Sequence, residues 1–214
     1  MTEPARPAAA LSGRRREAAR NNERILRAAQ EVFTADPGAP ISAVARRAGV
    51  GISALYTRYP SKEDLLRHLC ADGLQRLALL ADQALADERD HWTVFAEFMR
   101  GVVAADISSL TLSLAGKFRP SAELSVLAGQ ANDKVQALFD RVRPVLRADL
   151  DVLDLPPIWE QLAAITIGGQ GRAAELRSRY LTIMLDGLVA GAAGPLPGTP
   201  PTPREMSSRW YSAT

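Results

Sequence analysis

"AGVGISALYTRYPSKEDLL", residues 48–66, interrupts a chain whose apolar residues otherwise recur at helical spacing. Gly49 suits the left-handed turn that ends a helix. Gly51 then opens a segment of about two turns, and Pro60 closes it, because proline lacks an N–H and disfavours helix in the residue before it. Ser61-Lys62-Glu63-Asp64 has the pattern of a capping box, with Ser61 accepting from the amide of Asp64 and a carboxylate reaching back. Acidic residues in that first turn also suit the helix dipole. The stretch therefore predicts the end of one short helix, a second short helix, and the start of a third.

Upstream, Ile25, Ala28, Ala29, Val32 and Phe33 share one helical face, and "DPGAP" at 36–40 stops that helix. Ile41, Val44, Ala45 and Ala48 form the buried stripe of the short helix that ends at Gly49. Downstream, Leu65, Leu66, Leu69, Leu74, Leu77, Leu80, Ala84 and Leu85 run helically to Asp87, a rod of roughly 40 Å and long enough to join two bodies. Further helical segments are expected near 91–105, 107–115, 121–147, 156–167 and 172–191, with breaks at "KFRPS", "DVLDLPP" and "GGQG". Strand-like alternation is absent, so the fold class is all-α. Residues 1–13 read as a flexible arm, 14–62 as a small head, 63–193 as a helical body, and 194–214 as a proline-rich linker and tail.

The net charge of +2 conceals an asymmetry. Residues 1–62 hold 11 Lys and Arg against 5 Asp and Glu, whereas the remainder holds 15 against 19. The net charge taken alone argues against a nucleic-acid binder, but a basic head sits on an acidic body. Cys70 is the single cysteine, so an intrachain disulfide is excluded. Ala8-Ala9-Ala10-Leu11 is too short for a secretory leader, and "YLTIMLDGLVAGAAG" is broken by Asp186 and glycines. A cytoplasmic location is expected. "GGQGRA" at 168–173 lacks the strand and lysine of a phosphate-cradling loop. The two histidines and the absence of a nucleophile–base pair suggest no metal, no cofactor and no enzyme.

Two short helices joined at a glycine, the second rich in small polar and aromatic residues, form the arrangement of a helix-turn-helix. The second helix of such a unit enters the DNA major groove and presents its first residues to base edges. Val44-Ala45-Arg46-Arg47-Ala48-Gly49-Val50, Leu55-Tyr56, Tyr59, Lys62 and Leu65, preceded by "RILRAAQEVF", resemble the fingerprint of the tetracycline-repressor-like (TetR/AcrR) transcriptional regulators. The resemblance covers about residues 20–70. It implies that Tyr56 and Lys62 bind phosphate, with Ser42 a further contact, and that Ile52, Ser53, Ala54, Thr57 and Arg58 read bases. Val50, Leu55 and Tyr59 are assigned to the core of the head. Arg14, Arg15 and Arg16 read equally as a solvated basic run or as phosphate contacts. Two residues depart from the family pattern: Gly51 stands where serine is usual, and Arg58 where histidine is frequent.

The same resemblance implies a homodimer built on the helices near 156–167 and 172–191, a near-palindromic operator, and repression of transcription released by a small effector. An apolar, aromatic-bearing body favours a hydrophobic compound. Trp92, Phe95, Phe98, Met99, Phe118 and Trp159 are the residues expected to line its pocket, although aromatics at helical spacing are more often ordinary core. The alternative is a helical ligand-binding or structural dimer that has lost DNA recognition, with Gly51 and the missing histidine as its signs.

Overall fold

The structure, a computed structural model, describes residues 8–109, 120–191 and 194–211. Every regular element among them is helical, and the chain divides into two compact units, 1–69 and 70–214. The division falls inside a helix, past the 62/63 boundary expected, because Leu65, Leu66 and Leu69 of that helix are buried with the head.

In the first unit α1 spans Ala8–Ala35, α2 Ile41–Ala48 and α3 Ile52–Arg58, and α4 (Lys62–Ala86) begins there. Helix α1 starts within the segment expected as an arm: Ala8-Ala9-Ala10-Leu11 are strong helix formers with no breaker before them after Pro7. Its buried face is Ile25, Leu26, Ala28, Ala29 and Phe33, with Val32 at the edge. Asp36 ends it in a turn, its carboxylate accepting from the Gly38 amide at 2.8 Å. The stripe Ile41, Val44, Ala45 and Ala48 is buried as expected.

Helix α2 stops at Gly49, whose φ is +66°. The Gly49 amide donates to Arg46 O at 3.2 Å and the Val50 amide to Ala45 O at 3.0 Å. This pair of bonds is a Schellman motif, which requires the left-handed residue between them. The carbonyl of Ala48, at the last turn of α2, accepts from Arg24 Nη2 of α1 at 2.6 Å. Tyr59, at the C-terminal end of α3, is extended at φ −129° and ψ 94°, the conformation that Pro60 imposes on its predecessor. Ser61 Oγ accepts from the Asp64 amide at 3.0 Å, and the Asp64 carboxylate takes the Ser61 hydroxyl at 2.7 Å. That hydroxyl, with Arg67 adding to it, lowers the Asp64 pKa.

The second unit holds the rest of α4, α5 (His91–Ala104), α6 (Ala122–Val142), α7 (Leu155–Ala163), α8 (Gly169–Leu188) and α9 (Pro203–Tyr211). Asp90 and Ser121 cap α5 and α6, accepting from the amides of Thr93 and Leu124 at 2.9 and 3.2 Å. Pro144 shortens α6 relative to the expected 121–147, and the chain continues as a 3₁₀ turn over Arg143–Val145. The expected break at "GGQG" contracts to Gly168 and Gly169, both at positive φ, with α8 already starting at Gly169. Met99, Leu138, Leu155, Leu162 and Leu181 lie at the centre of one apolar core.

Arginines close the helix ends of this unit. Arg141 of α6 donates to Ala84 O and Leu85 O at 3.0 and 2.7 Å, satisfying carbonyls at the end of α4. Arg177 of α8 donates to Ala163 O and Ile165 O at the end of α7, and to Asp106 at 2.7 Å. Asp106 has φ +52° and also accepts from the Ser109 hydroxyl. Arg147 bridges Gly187 O, Asp149 and Gly194 O, while Asp149 accepts from the Leu196 amide at 2.7 Å. The residues after Gly194, expected as a solvated linker, are therefore tied to the 147–149 turn at their start. They end in a capped helix, with Thr202 Oγ1 accepting from the Glu205 amide at 3.2 Å.

The two glycines of the turn should respond oppositely to a side chain. Gly49→Ala forces a Cβ into the left-handed region, 3.2 Å from Arg24 Nη2, and is expected to cost about 1–2 kcal/mol. Gly51 has φ −66° and nothing within 4 Å of an added Cβ, so Gly51→Ser should be neutral or stabilising, by a few tenths of a kcal/mol. Urea denaturation of the two variants checks both signs.

Candidate nucleic-acid interface

The short helix α3 has one buried residue, Leu55, and Tyr59 seals its C-terminal end at 2% exposure. The Tyr59 amide donates to Leu55 O at 2.8 Å, and His68 meets the tyrosine ring edge-on at 5.1 Å. With these two side chains inward, Ile52, Ser53, Ala54, Tyr56, Thr57 and Arg58 all face outward. Ile52 and Tyr56 are 39% and 47% exposed, although neither type is usual on a surface. The predicted reading face is thus one contiguous surface on a seven-residue helix.

Its members differ in freedom. Thr57 Oγ1 donates back to Ser53 O at 2.8 Å, so its hydroxyl can still accept a hydrogen bond but its one proton is already used. Arg58 Nε donates to Asn22 Oδ1 of α1 at 2.7 Å, and its guanidinium carbon lies 5.9 Å from the Tyr59 ring centroid. Val50, expected in the core, is half-buried at the turn. Ser42 is half-buried in the first turn of α2, whose N-cap Pro40 offers no capping side chain.

Lys62 has partners of its own. Its ammonium donates to Pro37 O and Ala39 O, each at 2.8 Å, and sits 5.0 Å from the centroid of the Phe33 ring. Two of its three N–H groups therefore close the turn between α1 and α2. Arg47 on α2 is paired with Glu31 of α1 at 2.5 Å. The side chains of Arg14, Arg15 and Arg16 lie outside the described residues.

Residues 25–69 match the family model of the bacterial regulatory proteins, tetR family. The head is that of a TetR-family regulator. A TetR transcription regulatory protein from Mycobacterium vanbaalenii is 27% identical and aligns over 82% of this chain and 98% of its own, with a TM-score of 0.55. LfrR, a TetR-like regulator from Mycobacterium smegmatis solved in complex with proflavine, is 19% identical over 76% of this chain and 95% of its own, with a TM-score of 0.54. A gamma-butyrolactone receptor is 19% identical over 81% of this chain and 90% of its own, with a TM-score of 0.52. No curated protein matches the chain. The family match over residues 25–69 and the helical architecture of the described residues support a DNA-binding regulator of transcription.

The residues expected to line a ligand pocket form packed core instead of an open site. Phe95, Phe98, Met99 and Trp159 are buried and Trp92 is half-buried, while Phe118 lies outside the described residues. Phe98 meets Trp159 edge-on at 6.0 Å, and the Trp159 indole donates to Met99 Sδ at 3.2 Å. The space beside Trp159 is a cavity of about 10 Å³ bounded by Val102, Ala163 and Arg177. A drug-sized ligand needs roughly 300 Å³ or more. An open groove of about 200 Å³ runs between Leu74, Ala78 and Leu79 of α4 and Leu127 of α6, beside an Asp82–Lys134 ion pair.

Among the described residues no group of three His, Cys, Asp or Glu could hold a metal, and no helix is long and apolar enough to cross a membrane. Burial pushes the Cys70 thiol up to about 12, which keeps it protonated and unreactive near neutral pH.

Asn22 and Arg24 were not singled out from the sequence, since a polar residue on the long α1 face carries no spacing signal that aims it at α2 or α3. For Lys62, Lys62→Met keeps an apolar stem near Phe33 but deletes both turn bonds. It is expected to lower stability by about 1–3 kcal/mol. An unchanged urea midpoint would show that the turn does not depend on the ammonium.

Proposed function

We propose that this TetR-family protein is a homodimeric repressor that reads a near-palindromic operator with α3 and is released from it by a small hydrophobic effector. The observation that carries the DNA half of this reading is the outward face of α3. It sets an exposed isoleucine, two small residues, a threonine and an arginine beside a half-exposed tyrosine. Ile52 offers an apolar contact for a thymine methyl, and Arg58 offers donors for guanine or phosphate. Tyr56, Ser42 and the remaining N–H of Lys62 are the proposed phosphate contacts, which fix register without reading sequence.

The proposed dimer uses α7 and α8. Tyr180 and Ile183 on α8, with Ile167 just before it, are left 43%, 57% and 70% exposed. A twofold axis through such a face would pair two heads on related half-sites.

The effector half borrows from two proteins of the same fold, one solved with proflavine and one named as a gamma-butyrolactone receptor. Here the proposed site is the aromatic cluster around Trp159, where the small cavity already lies. A ligand there would select a body conformation in which Phe98 and Trp159 part, and the coupling is bounded by its affinity difference between the two states. Helix α4 belongs to both units and is the proposed carrier of that shift.

Titration of the full-length protein against duplex from its own upstream region and against random duplex, at physiological salt, tests the reading. Preferential binding of the upstream duplex is expected, and Tyr56→Phe should weaken all sequences alike, on the order of threefold to tenfold. No preference between the duplexes would leave a helical dimer without DNA recognition in place of a regulator.

A further inference from the structure

We infer that Asn22, on α1, is a positioning residue that determines how Arg58 meets DNA; this rests on the DNA-binding reading above. A guanidinium offers two bidentate edges, one made by Nε and a terminal nitrogen, the other by the two terminal nitrogens. Asn22 Oδ1 occupies the Nε–H at 2.7 Å. The edge that includes Nε is thereby closed, and the Nη1–Nη2 edge is the one left to address guanine O6 and N7.

The same oxygen accepts the hydroxyl of Tyr59. Tyr59 is almost wholly buried and its amide is bonded to Leu55, so the amide of Asn22 is oriented by a fixed group. Two hydrogen bonds thus converge from the end of α3 onto one atom of α1. The Tyr59 ring, 5.9 Å from the guanidinium carbon, adds a cation–π contact to the arginine. An arginine held at Nε and over a ring has lost much of its rotamer freedom before it binds. Less ordering cost then falls on the complex.

Asn22 itself needs no contact with DNA for this role. Its amide sets the direction from which Arg58 reads, and the identity of one base pair per half-site should depend on it.

The test is a binding survey of the full-length protein on duplexes in which each base pair of its preferred site is varied singly. Arg58→Ala should flatten the preference at one base pair per half-site. Asn22→Ala should reduce the preference at that same base pair, on the order of threefold to tenfold, and should have no added effect in the Arg58→Ala background. Tyr59→Phe, which removes the hydroxyl that orients Asn22 but leaves the arginine bond and the ring, should reduce the preference less than Asn22→Ala does.

Three outcomes would overturn the proposal. Asn22→Ala could weaken every sequence equally, or Tyr59→Phe could lose the preference as fully as Asn22→Ala does. Sharper reading by Asn22→Ala than by the native chain would show that Asn22 withholds Arg58 from DNA. A native chain with no preference at any base pair would instead refute the DNA-binding reading itself, and this inference with it.

Discussion

The head depends on the left-handed turn at Gly49 and on the arginine that closes it. A recognition helix of seven residues is too short to be stable alone. Its direction must come from the helix before it. The Schellman bonds to Ala45 and Arg46 set where α2 stops, and Arg24 ties the Ala48 carbonyl to α1. From that fixed point, Leu55 and Tyr59 have one inward direction available, and the other six residues of α3 are turned to solvent. Pro60 then ends the helix before it can grow into the core.

The same device recurs through the chain. Arg24, Arg141 and Arg177 each reach from one helix to the terminal carbonyls of another, at Ala48, Ala84 and Ala163 respectively. A helix end inside a packed body needs such donors, because the last turn leaves carbonyls without intrahelical partners. Arginine suits the task with several donors and a charge that complements the C-terminal end of the dipole. Among the described residues, which hold no sheet, these ties help to fix the helix ends. A formal balance near neutrality therefore says little about how many arginines remain for DNA.

Local chemistry was legible in the sequence and long reach was not. Gly49, Pro60, the Ser61 cap and the stripe Ile41, Val44, Ala45 and Ala48 each act within a few residues, so spacing alone identifies them. Lys62 acts on Pro37 and Ala39, and Asn22 on Arg58 and Tyr59, across separations of more than twenty residues. No periodicity encodes those partners. The helical start at Ala8 was hidden by the prolines before it. Aromatics in the body illustrate the remaining ambiguity: Phe98, Met99 and Trp159 have the same spacing whether they line a pocket or fill a core, and here they are in contact. At this cluster the proposed effector would enter by a change of packing, so the proposed response would be a matter of populations.

The central claim is that the outward face of α3 reads DNA sequence as part of a twofold dimer. Selection of bound duplexes from a fully random pool by the full-length protein, at physiological salt, tests it most directly. Enrichment of one near-palindromic site is expected, its half-sites separated by about one helical turn or a multiple of it. Recovery of no enriched sequence, or of an asymmetric site without a related second half, would contradict it.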